Sequence, residues 1–167
     1  MQLVIYILGS RLIVHSKTRT PMLVQHVMGN KPVNALWSVT QDNTVFEALE
    51  LMAEKNIGAV LVLEDNELIG IFSERDYARK VILQGKSSRD TLIREVMTSK
   101  VITVEKDQKI EECMQIMSDK HIRHLPVNQE GTLVGIISIN DIVSAIIHEQ
   151  KEHINTLESY ISGSPYS

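Results

Sequence analysis

Residues 37–77 and 102–142 of this chain align with each other at a constant offset of 65, without a gap. Twelve of the 41 aligned pairs are identical, where ordinary composition gives about two or three. Val39 pairs with Val104, Asp42 with Asp107, Glu47 with Glu112 and Met52 with Met117. The match is densest over Gly70-Ile71-Phe72-Ser73-Glu74-Arg75-Asp76 against Gly135-Ile136-Ile137-Ser138-Ile139-Asn140-Asp141. A repeated unit this short does not bury its own apolar face, so the two copies are expected to pack on each other.

Each copy follows one order. A short extended piece ends in Ser38-Val39-Thr40 or Ile102-Thr103-Val104. Apolar residues then recur at helical spacing: Val45, Ala48, Leu49 and Met52, matched by Ile110, Cys113, Met114 and Met117. Thr44 and Glu47 form a capping-box pair, whereas Lys109 replaces that threonine and weakens the second cap. A β-rich run follows, Ala59-Val60-Leu61-Val62-Leu63 or His124-Leu125-Pro126-Val127. A polar turn leads to a second strand, Leu68–Phe72 or Leu133–Ile137. A further helix starts at Ser73 or Ser138. The prediction is an α/β fold of two β-α-β-β-α units. Pro126 predicts an edge strand or an irregularity there.

The boundaries expected are an extension over 1–21, a first repeat over 22–85, a second over 91–148, and a helical extension and tail over 149–167. Gln84–Ser88 reads as the polar connector. Val96-Met97 before the second unit echoes Val27-Met28 before the first, with a few extra residues in the first copy. Past the repeat, Val143, Ile146, Ile147, Ile154, Leu157 and Ile161 extend the last helix to about Ile161. That stripe either covers its own domain or pairs with another subunit.

Composition excludes several classes. The net charge of −4 gives no basic field for nucleic acid. It hides an asymmetry: no acid precedes Asp42, while Arg11, Lys17, Arg19 and Lys31 do. Cys113 is the one cysteine, so no internal disulfide or multi-thiolate metal site forms. A reducing, cytoplasmic setting fits, and Cys113 reads as a small buried residue. Met1–Val14 is too short and too interrupted to span a bilayer, so it reads as a docked strand or an extension.

Gly-x-x-Ser-x-x-Asp recurs at a strand end and helix start. Ser73 and Ser138 suit N-caps, with Asp76 and Asp141 three residues on. The same corner suits a phosphate at the amides and hydroxyl, and a ribose diol at the carboxylate. Gly70 and Gly135 would let a ligand approach the backbone closely.

These motifs, occurring in order and twice, resemble a stand-alone tandem CBS-domain protein, a Bateman module, over about residues 22–148. Gly70–Lys80 resembles the end of the first motif. Ile122-Arg123-His124-Leu125-Pro126-Val127 and Gly135–Asp141 resemble the second. The resemblance implies two repeats about a pseudo-twofold axis, dimerising into a flat disc. It implies adenine ligands between the repeats: AMP, ADP, ATP, NAD or S-adenosylmethionine. Asp76 and Asp141 would hold ribose hydroxyls, and Ser73 and Ser138 would contact phosphate. Trp37-Ser38, Ile102-Thr103, Ala59-Val60 and His124-Leu125 would line the adenine pockets. Serine stands where many members have threonine.

The copies differ where it matters. Arg123-His124 replaces Gly58-Ala59, and Arg75 replaces Asn140. Arg123 reads as a phosphate clamp and Arg75 as a similar contact. Arg79 and Lys80 read as a solvated face, with Lys80 spaced to pair with Asp76. The second site is therefore expected to suit a charged nucleotide at least as well as the first. His121 and His124 lack further ligands for a metal set, and neither a Gly-x-Ser-x-Gly elbow nor a P-loop occurs. The function expected is a non-enzymatic adenylate sensor acting on a separate protein, with no required cofactor. The alternatives are a ligand-free dimerisation module and, less favoured, a small nucleotide-acting enzyme.

Overall fold

A computed structural model describes residues 3–8, 11–16, 20–30 and 35–161. β1 (Leu3–Leu8) and β2 (Arg11–Ser16) form an antiparallel hairpin, pairing Leu3 with Ser16 and Leu8 with Arg11. The segment expected as one docked strand or an extension is thus two strands that pair with each other.

After α1 (Val24–Gly29) the first repeat runs β3 (Ser38–Val39), α2 (Val45–Lys55), β4 (Ala59–Glu64), β5 (Glu67–Ser73) and α3 (Glu74–Asp76). α3 continues as a π turn, Tyr77–Val81, and a 3-10 turn, Ile82–Gln84. Gly85 ends it at φ 64°, a left-handed conformation that glycine adopts without strain. α4 (Ile93–Val96) leads into β6 (Val104–Glu105), α5 (Ile110–Lys120), β7 (His124–Gln129), β8 (Thr132–Ser138) and α6 (Ile139–Ile161). The predicted order therefore appears twice, with each second helix differing in length.

The registers repeat with the sequence. β3 lies parallel to β4 with Val39 opposite Val62, and β6 parallel to β7 with Val104 opposite Val127. Ala59 faces Ser73 across β4 and β5, as His124 faces Ser138 across β7 and β8. The helical spacing is also realised: Val45, Ala48 and Met52 of α2 are buried, as are Ile110, Cys113 and Met117 of α5.

Pro126 is not on an edge strand, because β7 lies between β6 and β8. The reason is local. In the first repeat the Leu61 amide donates to the Trp37 carbonyl at 3.1 Å. Pro126 stands at the Leu61 position without an N–H, and β6 pairs with β7 only from Val127 onward. The missing donor thus falls just outside the ladder.

The short helices before the repeats are exchanged. Val24, Val27 and Met28 of α1 lie in the core of the second repeat, with Ile110, Leu125 and Ile137. Ile93 and Val96 of α4 lie in the core of the first, with Val45, Val60 and Phe72. Matching hydrogen bonds fix both. The Val24 amide donates to the Gln108 carbonyl and the Ile93 amide to the Asn43 carbonyl, each at 2.9 Å. Four extra residues lie in the first copy, since Met28 and Met97 are 69 apart while the repeats are 65 apart.

This exchange explains the repeated glycines. A Cβ on Gly70 would lie 2.5 Å from Met97 Sδ, and one on Gly135 would lie 2.5 Å from Met28 Cε. The space expected to admit a ligand is instead filled by a methionine from the exchanged segment. Tight interior packing leaves no other home for those side chains.

α6 serves two roles along its length. Ile142 and Ala145 are buried in the second core, while Val143, Ile147 and Ile154 are about half exposed, at 46%, 48% and 54%. No helix among the described residues is long and apolar enough to cross a membrane.

Candidate functional site: two clefts with shared walls

Both Ser-x-x-Asp corners are capping boxes. Asp76 Oδ2 accepts from the Ser73 amide at 3.0 Å and from Ser73 Oγ at 2.6 Å, while the Asp76 amide donates to Ser73 Oγ at 3.3 Å. Asp141 Oδ2 accepts from the Ser138 amide at 2.7 Å and from Ser138 Oγ at 2.9 Å, with the return bond at 3.2 Å. The reciprocal bonds satisfy amides that a helix start leaves unpaired. Strand β5 or β8 delivers the serine, and the first turn places the aspartate beside it.

Each corner faces the other repeat. A cleft of about 550 Å³ is bounded by Ser73, Arg75 and Asp76 on one side and by Ile102, Lys120, His121, Arg123 and His124 on the other. A larger cleft of about 1100 Å³ is bounded by Ser138 and Asp141 against Trp37, Leu49, Lys55 and Ala59. Every cleft therefore takes its acid from one repeat and its apolar wall from the other.

Gly58, Glu74, Arg123 and His124 border both clefts. A Cβ on Gly58 would lie 3.3 Å from His124 Cε1 and 3.4 Å from Glu74 Oε2. Glycine at the repeat position of Arg123 thus leaves room for the His124 and Glu74 side chains in the shared wall. Arg75 crosses the same boundary. Its guanidinium donates to the His121 carbonyl, where α5 ends in a left-handed residue at φ 54°. That carbonyl is at the negative end of a helix, so the cation suits it.

The two acids have different surroundings. Asp76 Oδ1 receives Lys80 Nζ at 2.7 Å and Thr98 Oγ1 at 3.2 Å. The Lys80 ammonium also donates to Thr98 Oγ1 and the Val96 carbonyl, each at 3.0 Å. Lys80 therefore pairs with Asp76 at the expected i,i+4 spacing, with its side chain still partly exposed. In the second repeat its position holds Ala145, and Gly29 takes the place of Thr98.

The sequence-predicted residues divide by position. Ser73, Arg75, Asp76, Ile102, Arg123 and His124 border the smaller cleft. Ser138, Asp141 and Ala59 border the larger, with Arg123 and His124 again. Val60 and Leu125 are fully buried behind these walls. Ser38 and Thr103 lie outside both linings. Lys100, Lys120 and Lys55 line the clefts and were missed. The signal existed for two of them, because Lys55 and Lys120 are one of the twelve identical pairs. No group of three or more metal-binding side chains occurs among the described residues.

The mitochondrial CBS domain-containing protein CBSX3 of Arabidopsis thaliana is 41% identical over 149 residues, spanning 84% of this chain and 72% of that protein. A solved structure of a CBS-domain protein from Burkholderia ambifaria MC40-6 matches with a TM-score of 0.75 and 45% identity, over 77% of this chain and 96% of the other. The CBS domain pair of protein MJ0100, solved with 5′-methylthioadenosine and S-adenosyl-L-methionine, matches with a TM-score of 0.65 and 25% identity, over 75% and 99%. The family model described as "CBS domain" matches residues 24–82 and 93–148. With both repeats matched and the fold shared, this chain belongs to the CBS-domain family.

Proposed function

We propose that this protein is a regulatory sensor that binds adenosine-containing ligands, with AMP, ADP, ATP and NAD as candidates, in its two clefts. One observation carries the reading: each cleft sets a Ser-x-x-Asp corner of one repeat against an apolar wall of the other. That is the arrangement a nucleoside needs, with a carboxylate for the ribose and a flat apolar slot for the base. The bound 5′-methylthioadenosine and S-adenosyl-L-methionine of the MJ0100 pair support it. In this reading Asp76 and Asp141 face ribose and Ser73 and Ser138 face phosphate. Ala59, Ile102 and His124 form the base walls, with Val60 and Leu125 fixing them from behind. Ser38 and Thr103 serve as flanking strand residues.

The ligand acts by changing how the repeats sit. A ligand shifts such an equilibrium only by binding one arrangement better than another. The Arg75–His121 bond spans the two repeats beside a cleft, so a change in how they sit acts on it. The output is a separate target protein, and the chain itself is a non-catalytic module in a reducing compartment such as the cytoplasm. It acts as a homodimer, a role supported by exposed Ile82, Leu83, Val143 and Ile147.

Thermal unfolding of the full chain with AMP, ADP, ATP, NAD and S-adenosylmethionine tests the reading. A ligand at 100 times its dissociation constant stabilises by about 2.7 kcal/mol. Loss of that shift in Asp141→Ala or Asp76→Ala is the expected result. No shift with any of the five would sink the sensor reading and leave the dimerisation module. Turnover of a nucleotide in the same samples would point to an enzyme.

A further inference from the structure

We infer that the far half of α6 pairs with the same segment of a second copy as a short parallel two-stranded coiled coil. This rests on the homodimer reading above and names the segment and the geometry that hold the two copies.

The first ground is a stretch of helix without a core. Near its start α6 turns Ile142 and Ala145 into the second repeat, with Ile139 and Ile146 packed beside them. Continued at helical spacing, that face meets Glu149 and then Glu152, His153 and Thr156, all polar. Residues 151–156 and Glu158 are exposed. Residues 150–161 thus run on for about 18 Å at a rise of about 1.5 Å per residue. A helical stretch of that length is marginal in water unless one of its faces packs on something.

The second ground is the spacing of the apolar residues. Val143, Ile147, Gln150, Ile154, Leu157 and Ile161 follow one another at alternate steps of four and three. That is a heptad seam, and it lies about 100° around the helix from the face that enters the core. Val143, Ile147 and Ile154 are about half exposed. The side opposite the seam carries His148 and Glu152, 3.4 Å apart.

The third ground is self-complementarity, which selects both the partner and its direction. In a parallel pair each seam residue meets its own copy. Ile147, Ile154 and Ile161 then fill the first position of each heptad and Leu157 the fourth, the pattern that favours two strands. Gln150 meets Gln150, so the one polar layer hydrogen-bonds to itself and fixes the register. His153 comes opposite Glu158 of the second copy, and the Lys151 stem lies along Ile146. An antiparallel pair with the same six layers fails on both counts. It sets Gln150 against Ile154 and Lys151 against Lys151. Sliding it by one heptad brings Lys151 to Glu158 but leaves Val143 and Ile147 uncovered. The seam is under three heptads, short for free helices, and a globular contact through Ile82 and Leu83 raises the local concentration of the two ends.

Cysteine crosslinking of the full chain tests the pairing. Cys113 stays in place, being buried. Leu157→Cys, in the seam, should form an intermolecular disulfide under mild oxidation with diamide, since facing seam positions come within disulfide reach. Glu152→Cys, on the far side, should not. Ile154→Asp should weaken the dimer about tenfold or more in sedimentation, with unchanged circular dichroism, because it puts a charge into an apolar layer. A disulfide through Lys151→Cys with none through Leu157→Cys would mean an antiparallel pair and overturn the proposal. A dimer that neither crosslinks at position 157 nor weakens with Ile154→Asp overturns it too, and leaves the homodimer reading standing. A full chain that sediments as a monomer removes both.

Discussion

The Lys80 ammonium lies 2.7 Å from the Asp76 carboxylate, one helical turn away, and shares Thr98 Oγ1 with it. A ribose hydroxyl that reaches Asp76 Oδ1 therefore competes with the Lys80 ammonium and the Thr98 hydroxyl. Lys80→Gln removes the ammonium while leaving the Ser73 capping bonds in place. The expected outcome is tighter adenosine binding in the variant, seen in calorimetry. An unchanged affinity would mean that Lys80 does not control the corner.

Gly70→Ala and Gly135→Ala should differ. A Cβ on Gly70 meets Met97 Sδ at 2.5 Å and Cγ at 3.2 Å, with Val62 Cβ behind at 3.4 Å. A Cβ on Gly135 meets the terminal Met28 Cε at 2.5 Å, and the sulfur only at 3.6 Å. A methyl end swings aside more readily than the middle of a side chain. Gly70→Ala is expected to cost about 1–3 kcal/mol as overpacking, and Gly135→Ala distinctly less. Urea unfolding measures both. Shortening Met97 in the Gly70→Ala background should recover part of the loss, which a double-mutant cycle reads directly.

The unequal helix caps give a third test. Thr44 Oγ1 accepts from the Glu47 amide at 3.2 Å, whereas Lys109 makes no side-chain cap bond for α5. Lys109→Thr should stabilise by about 1 kcal/mol and Thr44→Ala should cost a similar amount. The cap also sets a pH dependence. The bond from the Thr44 amide, helped by Asn43 and the Thr44 hydroxyl, holds the Glu47 carboxyl below its ordinary value of 4.5. A lowered folded-state pKa gives stability that is present above 4.5 and lost as pH falls through the folded value. Glu47→Gln should flatten that part of the acid limb in unfolding curves.

Cys113 should be inert in the native state. Burial, with Glu112 close by, pushes its thiol up to about 11. The thiolate is the reactive form, so a disulfide reagent near neutral pH should modify it only on the unfolding timescale. Modification within seconds of mixing in native buffer would contradict the packing of α5.

The repeat was legible because period, caps and strand residues act locally. Val45, Ala48 and Met52 announce α2, and Ser73 and Ser138 mark the helix starts, from spacing alone. The alignment at an offset of 65 also fixed equivalent positions, and the registers of both sheets obey it. Of the two readings of Pro126, the edge strand fails and the irregularity holds: a missing amide matters only where a ladder bond would form, and β6 pairs with β7 one residue later than β3 with β4.

The sequence by itself determined two homologous β-α-β-β-α units, their caps, and which residues vary between them. Only the tertiary structure decided which unit each short helix completes, and which acid faces which wall. Met28 and Met97 carry no local signal for the partner they fill, since a core selects volume and apolarity rather than sequence neighbours. Pairing across the pseudo-twofold axis likewise brought Asp76 to Arg123 and Asp141 to Trp37. The Lys80–Asp76 bond needed one further condition that spacing cannot supply: Thr98 and the Val96 carbonyl, on the exchanged segment, hold the ammonium in place.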